Sequence, residues 1–169
     1  MAASNTIKNS YGAGSIVISD GTGSPLTVTV DFDQGDFSIS GLKDKLKDTT
    51  TYQSRGTLHA VRHTARTFPT ISFTAMMSEF KDASGGTAID MILGQAPFAA
   101  RISTLGANAD VTAFSVAFTI EGTDFGDGND HTVSFDDVEI SVDFSESDPN
   151  TFSFSGTVYG AITGDMAIS

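Results

Sequence analysis

Nucleophilic catalysis by serine or threonine needs a base beside the hydroxyl, and histidine is the side chain best tuned for that work near neutral pH. The chain has three histidines, His59 and His63 in one segment and His131 far from both. None belongs to a motif. The sequence contains no G-x-S-x-G elbow, no G-x-G-x-x-G or Walker loop and no H-E-x-x-H pair, so the chemistries those motifs carry lack their residues. Glycoside hydrolysis asks only for two carboxylates at a set separation, and Asp and Glu together number 21. Around Val138, Ile140 and Val142, however, the carboxylates alternate with apolar residues, which is the pattern of a solvated strand face. No catalytic residue is assigned and no enzyme is expected.

Metal chemistry fares no better. Asp124-Phe125-Gly126-Asp127-Gly128-Asn129-Asp130 gathers three carboxylates and an amide oxygen, but a calcium loop of the EF-hand kind needs ligands at alternate positions, and here glycine takes the third place. An ordinary polar turn is the better reading. With no cysteine, disulfides and thiolate metal sites are excluded, and no metal or cofactor is expected.

Arg55, His59, Arg62, His63 and Arg66 form the one basic cluster. Their spacing would align on a helix, yet Gly56, Thr57, Val61, Thr64 and Thr67 favour a strand, with Arg62 and Arg66 on one side and Arg55, His59 and His63 on the other. The total of nine Lys and Arg against 21 Asp and Glu leaves a net charge of -12, the wrong sign for gripping a phosphate backbone. No Lys or Arg occurs after Arg101, so a basic N-terminal half and an acidic C-terminal half are poised to satisfy each other between copies. No stretch approaches the apolar length of a membrane span, and Met1–Ser10 has no signal-peptide core, so a soluble protein without membrane binding is expected.

The elements that position these residues are mostly strands. Leu26, Val28, Val30 and Phe32 alternate with Thr27, Thr29, Asp31 and Asp33, and pair as a hairpin with Ser15–Ser19 across a Gly- and Pro-bearing turn. The same period returns from Phe114 to Ile120, from Val138 to Phe144 and from Phe152 to Ile162. Val133 and Phe135 are out of phase with Val138, which requires a bulge near Asp136 and Asp137. One short helix is predicted at Ala88–Leu93, and Met76-Met77 reads as core filler. Gly41–Ser54, with Lys43, Lys45, Lys47, Asp44 and Asp48, reads as a long exposed loop. The 169 residues form a single domain, 1–169, with a short arm at 1–10: mainly β, an antiparallel sandwich or barrel with one short flanking helix.

The order of these parts resembles the tail tube (major tail) proteins of long-tailed bacteriophages, related in fold to secretion-system tube proteins. The resemblance spans Ile16 to Ile162: the N-terminal hairpin, the charged segment Leu42–Thr50, Arg55-Gly56 to Pro69 leading into Thr70-Ile71-Ser72-Phe73-Thr74-Ala75, the helix, Thr119-Ile120-Glu121-Gly122, and a closing strand built on Phe-Ser-Phe-Ser-Gly. It implies a structural virion protein of the tail, assembled in the host cytoplasm as six-fold rings that stack into a hollow tube. Its partners would be further copies and the tape-measure and tail-terminator proteins, with viral DNA passing through unbound. Lys43, Lys45, Lys47, Arg55, Arg62 and Arg66 are then candidates for subunit and ring interfaces, and Asp31, Asp33, Asp137, Glu139 and Asp143 for a lumen lining that repels phosphate. The rival is a small β-sandwich that binds carbohydrate. Sugars stack on exposed Trp and Tyr, of which the chain has none and three, and Phe114, Phe118, Phe144, Phe152 and Phe154 all fall on the apolar side of their strands.

Overall fold

The computed structural model describes residues 14–19, 27–30, 37–76, 88–95, 111–120, 128–146 and 151–164. Along them run β1 (Gly14–Ser19), β2 (Thr27–Val30), β3 (Ser38–Ser40), β4 (Lys47–Ser54), β5 (Thr57–Arg66), β6 (Thr70–Met76), α1 (Ala88–Ile92), β7 (Phe114–Ile120), β8 (His131–Ser145), β9 (Thr151–Val158) and β10 (Ile162–Gly164). Eight strands make one antiparallel sheet in the order β2-β1-β7-β8-β9-β6-β3, with β10 beside β8, while β4 and β5 pair only with each other.

Period-two alternation sends one set of side chains inward. Ile16, Ile18, Ile71, Phe73, Val116, Phe135, Val138, Phe154 and Val158 are buried together, each stabilising the fold by about 1.5–3 kcal/mol relative to exposure. The sheet curls to cover them. Between β7 and β3 lie three strands, so a flat sheet would hold these two about 19 Å apart. Phe37, just before β3, nevertheless stacks on Phe118 of β7 with ring centroids 4.2 Å apart, and also meets Phe73 and Phe135. The architecture is therefore a half-barrel closing over its own apolar face, which, of the sandwich or barrel expected, lies on the barrel side.

The N-terminal hairpin is present, with Ile16 opposite Val30 and Ile18 opposite Val28. So is the bulge. Phe114 pairs with Val138 and Val116 with Phe135, leaving Asp136 and Asp137 against Ser115, and Asp137 takes φ 51°. The turn after β9 clamps it: the Tyr159 N–H donates to Asp137 O, the Gly160 N–H to Asp136 O, and the Asp136 N–H to Ala161 O. Only glycine fits at 160, since a Cβ there would lie 2.4 Å from Asp136 O.

Three expectations need correction. Ala88–Ile92 is little more than one helical turn, ended by Gly94 at φ 62°. Its Ile89 and Ile92 pack against the core, but it is too short to form the flanking helix. The segment Gly41–Ser54 is exposed but is not loop throughout, because from Lys47 onward it is strand β4. Phe114, Phe152 and Phe154 are buried and Phe118 packs against the core, whereas Phe144 is 54% exposed. The arm at 1–10 lies outside the described residues.

Candidate functional site

The β4–β5 hairpin stands apart from the sheet, and nearly all of its residues are exposed. The Thr-Thr-Thr-Tyr run at 49–52 and the β-branched residues of β5 give it strand propensity, and Arg55-Gly56 turns it. Both turn residues have positive φ, 51° and 81°, between the paired Ser54 and Thr57, which is the two-residue connection whose twist matches the strands. Two register shifts decide its faces. Between Thr49–His63 and Lys47–Arg66 three steps of β5 match two of β4, so Arg66 shares a face with His63, Val61 and Leu58. Arg62 lies on the other face with Tyr52 and Ala60, so the expected pairing of Arg62 with Arg66 on one side does not hold.

The root of the hairpin is held firmly. The Thr67 N–H donates to Leu46 O, the Val158 N–H to Pro69 O, and Lys43 Nζ pairs with Asp48 at 2.5 Å. Arg66 Nη2 donates to the carbonyl oxygens of Tyr159 at 2.5 Å and Gly160 at 3.4 Å, and its guanidinium lies 5.3 Å from the centre of the Phe68 ring. Phe68 in turn packs on Tyr159 at 5.1 Å. The Tyr159 hydroxyl donates to Glu139 Oε2 at 3.0 Å. That hydrogen bond, followed by desolvation and the carboxylate's charge, pushes the phenol above its usual 10.0. Nearby, His63 Nε2 sits 3.4 Å from Asp44 Oδ2.

The outward face of the sheet is a lattice of hydroxyls. Ser38, Ser72, Ser155 and Ser141 form one row across β3, β6, β9 and β8, and Ser40, Thr70, Thr157 and Glu139 form the next. Neighbours bond directly, with Ser38–Ser72 at 2.8 Å, Ser40–Thr70 at 2.7 Å and Ser141–Ser155 at 2.7 Å. Glu139 and Asp143 are charged outward positions of β8 beyond its bulge, Asp136 is exposed at the bulge itself, and Asp143 lies opposite Ser153. Asp137 sits in the bulge at the end of this face, half-buried; Asp31 and Asp33 lie outside the described residues, as does 124–127 of the calcium-like turn.

The two surfaces are therefore opposite in charge. Every Lys and Arg among the described residues falls between Lys43 and Arg66, on the hairpin or its root. The side chains of Lys43 and Arg66 are engaged within the chain, whereas those of Lys45, Lys47, Arg55 and Arg62 have no hydrogen-bond or ion-pair partner among the described residues. Among those residues no group of three or more potential ligands that could hold a metal ion is present. Sequence reasoning missed Phe68 and Tyr159, because an isolated aromatic near a strand end carries no periodic signal.

The half-barrel with its separate hairpin is a fold shared with solved structures. No family model matches the sequence, and no curated protein does. Solved structures do. A chain from the cryo-EM structure of an extracellular contractile injection system, the PVC sheath-tube complex in the extended state, aligns over 98% of this chain and 98% of its own at 11% identity and TM-score 0.53. One from the PVC sheath/tube terminator in the extended state aligns over 90% and 93%, at 10% identity and TM-score 0.53. Both structures are parts of an extracellular contractile injection system.

Proposed function

We propose that the chain is a structural subunit of a tail-like tube: six copies close a ring, rings stack into a hollow tube, and DNA passes through without specific binding. Its partners are further copies of itself and the tape-measure and tail-terminator proteins, and it resides in the virion tail after assembly in the host cytoplasm. The observation that carries this reading is the segregation of charge. Two different surfaces of one chain, a basic hairpin and an acidic hydroxyl face, complement each other, and a contact between unlike surfaces repeats head to tail into rings and open stacks. A closed two-fold dimer would instead match one surface with itself. The fold it shares with chains of the sheath-tube and sheath/tube terminator structures agrees with such a role.

The hairpin supplies the contact. A lone two-stranded ribbon is marginally stable in water and leaves two edges open, so it gains by lying against another copy. Lys45, Lys47, Arg55 and Arg62 are its interface cations, while Lys43 and Arg66 fix its root. Asp31, Asp33, Asp137, Glu139 and Asp143 line the lumen together with the part of the acidic face that the hairpin leaves open, where carboxylates and neutral hydroxyls hold phosphate off. Replacing residues 49–64 by a short turn leaves the sheet folded and stops ring stacking, as read by sedimentation and electron microscopy. Tubes from that shortened chain would overturn the reading. Asp31→Asn with Asp33→Asn leaves tubes intact but makes them retain DNA at low salt.

A further inference from the structure

Beside the hairpin root, the outward face dips into an open depression of about 360 Å³ lined by Thr70, Glu139, Ser141, Ser155 and Thr157 around Gly156. Its one charged lining group is the Glu139 carboxylate. Oε2 accepts from the Tyr159 hydroxyl at 3.0 Å, and the Tyr159 backbone is itself held by Arg66, so the carboxylate is oriented with Oε1 left open. Ser141 and Ser155, paired at 2.7 Å, wall one side. An oriented carboxylate ringed by hydroxyl oxygens offers acceptors to a planar guanidinium and repels an anion.

Arg55 is the matching group. It occupies the hairpin turn, presented by a backbone held at φ 51° and backed by Gly56. From Lys47 to Arg55 the strand runs for about 26 Å, which carries Arg55 away from the Glu139 of its own chain. Arg55 is thus the cation best placed to meet another copy first.

We propose that the Glu139 depression of one copy receives Arg55 from the hairpin tip of another. This rests on the assembly reading above and gives it a contact at the seam between rings. It moves Glu139 from the lumen lining to that seam. Asp143, about 13 Å further along β8, keeps its lumen role.

Since the chain has no cysteine, the contact can be tested by pairwise cross-linking. Copies carrying Arg55→Cys are assembled with copies carrying Glu139→Cys and oxidised mildly. A covalent dimer is expected, while Arg55→Cys with Asp143→Cys gives only background. Separately, Arg55→Glu or Glu139→Arg alone lowers tube yield at least about tenfold, equivalent to about 1.4 kcal/mol, and the two together restore it. If Glu139→Arg fails to fold, Glu139→Gln takes its place and should weaken assembly in the same direction. Equal cross-linking at Asp143, or unchanged yield in both single variants, would overturn the proposal. The chain shortened at 49–64 separates the two levels: its failure to stack upholds the assembly reading even where the Arg55 contact is refuted.

Discussion

Phe135 and Val61 both sit in antiparallel strands, yet Phe135 is fully buried and Val61 is 53% exposed. The difference is between two ways of using a strand. In the half-barrel, β1, β7, β8, β9 and β6 are paired along both edges and the apolar face is closed over by curl, so stability is internal. In the β4–β5 hairpin, cross-strand hydrogen bonds are made but Tyr52, Leu58 and Val61 bury little against the body, so stability must come from outside. One region is finished as a fold; the other is finished only by contact.

Substitutions that break this contrast fall in order of size. Phe135→Ala should lower unfolding free energy by about 3–5 kcal/mol in a denaturant titration, whereas Leu58→Ala or Val61→Ala should stay within about 0.5 kcal/mol and reduce assembly instead. Gly160→Ala drives a methyl group into Asp136 O at the bulge and should cost about 1–3 kcal/mol, read by thermal unfolding of the isolated subunit. At the junction of the two regions, Arg66→Ala should lose about 1 kcal/mol, because an exposed charge-assisted bond is partly screened. Its larger effect is on position: amide exchange of β4 and β5 should accelerate while that of β8 does not, and Arg66→Lys should restore only part of the protection.

The smallest effect is in titration. With the Tyr159 phenol raised above 10.0 in the folded chain, the unfolded chain gives up that proton first. Its contribution to stability is therefore complete below pH 10 and is lost as pH rises through the folded value. Glu139→Gln removes the carboxylate's charge and should bring the phenol back toward its ordinary range in an ultraviolet titration. A Tyr159 titration unchanged by Glu139→Gln would mean that the two groups are not coupled at the root.

Much of the half-barrel is legible because burial writes a period into the sequence. Ile16 and Ile18, Phe114 and Val116, and Phe152 and Phe154 alternate with polar residues, and the phase break between Phe135 and Val138 marks the bulge. Curl is not legible, since it depends on Phe37 reaching Phe118 across the sheet, a contact between residues 81 positions apart in the chain. The hairpin is legible by half. Thr57–Arg66 carries strand propensity, but Lys47, Asp48 and the threonines show no apolar alternation, because a strand that buries neither face has none to show. Its faces are misassigned from sequence for a related reason: the register shifts along the hairpin have no signature in residue type. The charge segregation, by contrast, depends only on where Lys and Arg fall along the chain, so the residue order alone displays it.

The central claim is that this chain completes itself against other copies of itself through its hairpin. Electron microscopy of the purified, concentrated protein tests it most directly. Six-fold rings and stacked tubes from the full chain, and only dispersed subunits from the chain shortened at 49–64, are the predicted result. A stable monomer at high concentration from the full chain, with hairpin amides as protected as those of β8, would contradict it.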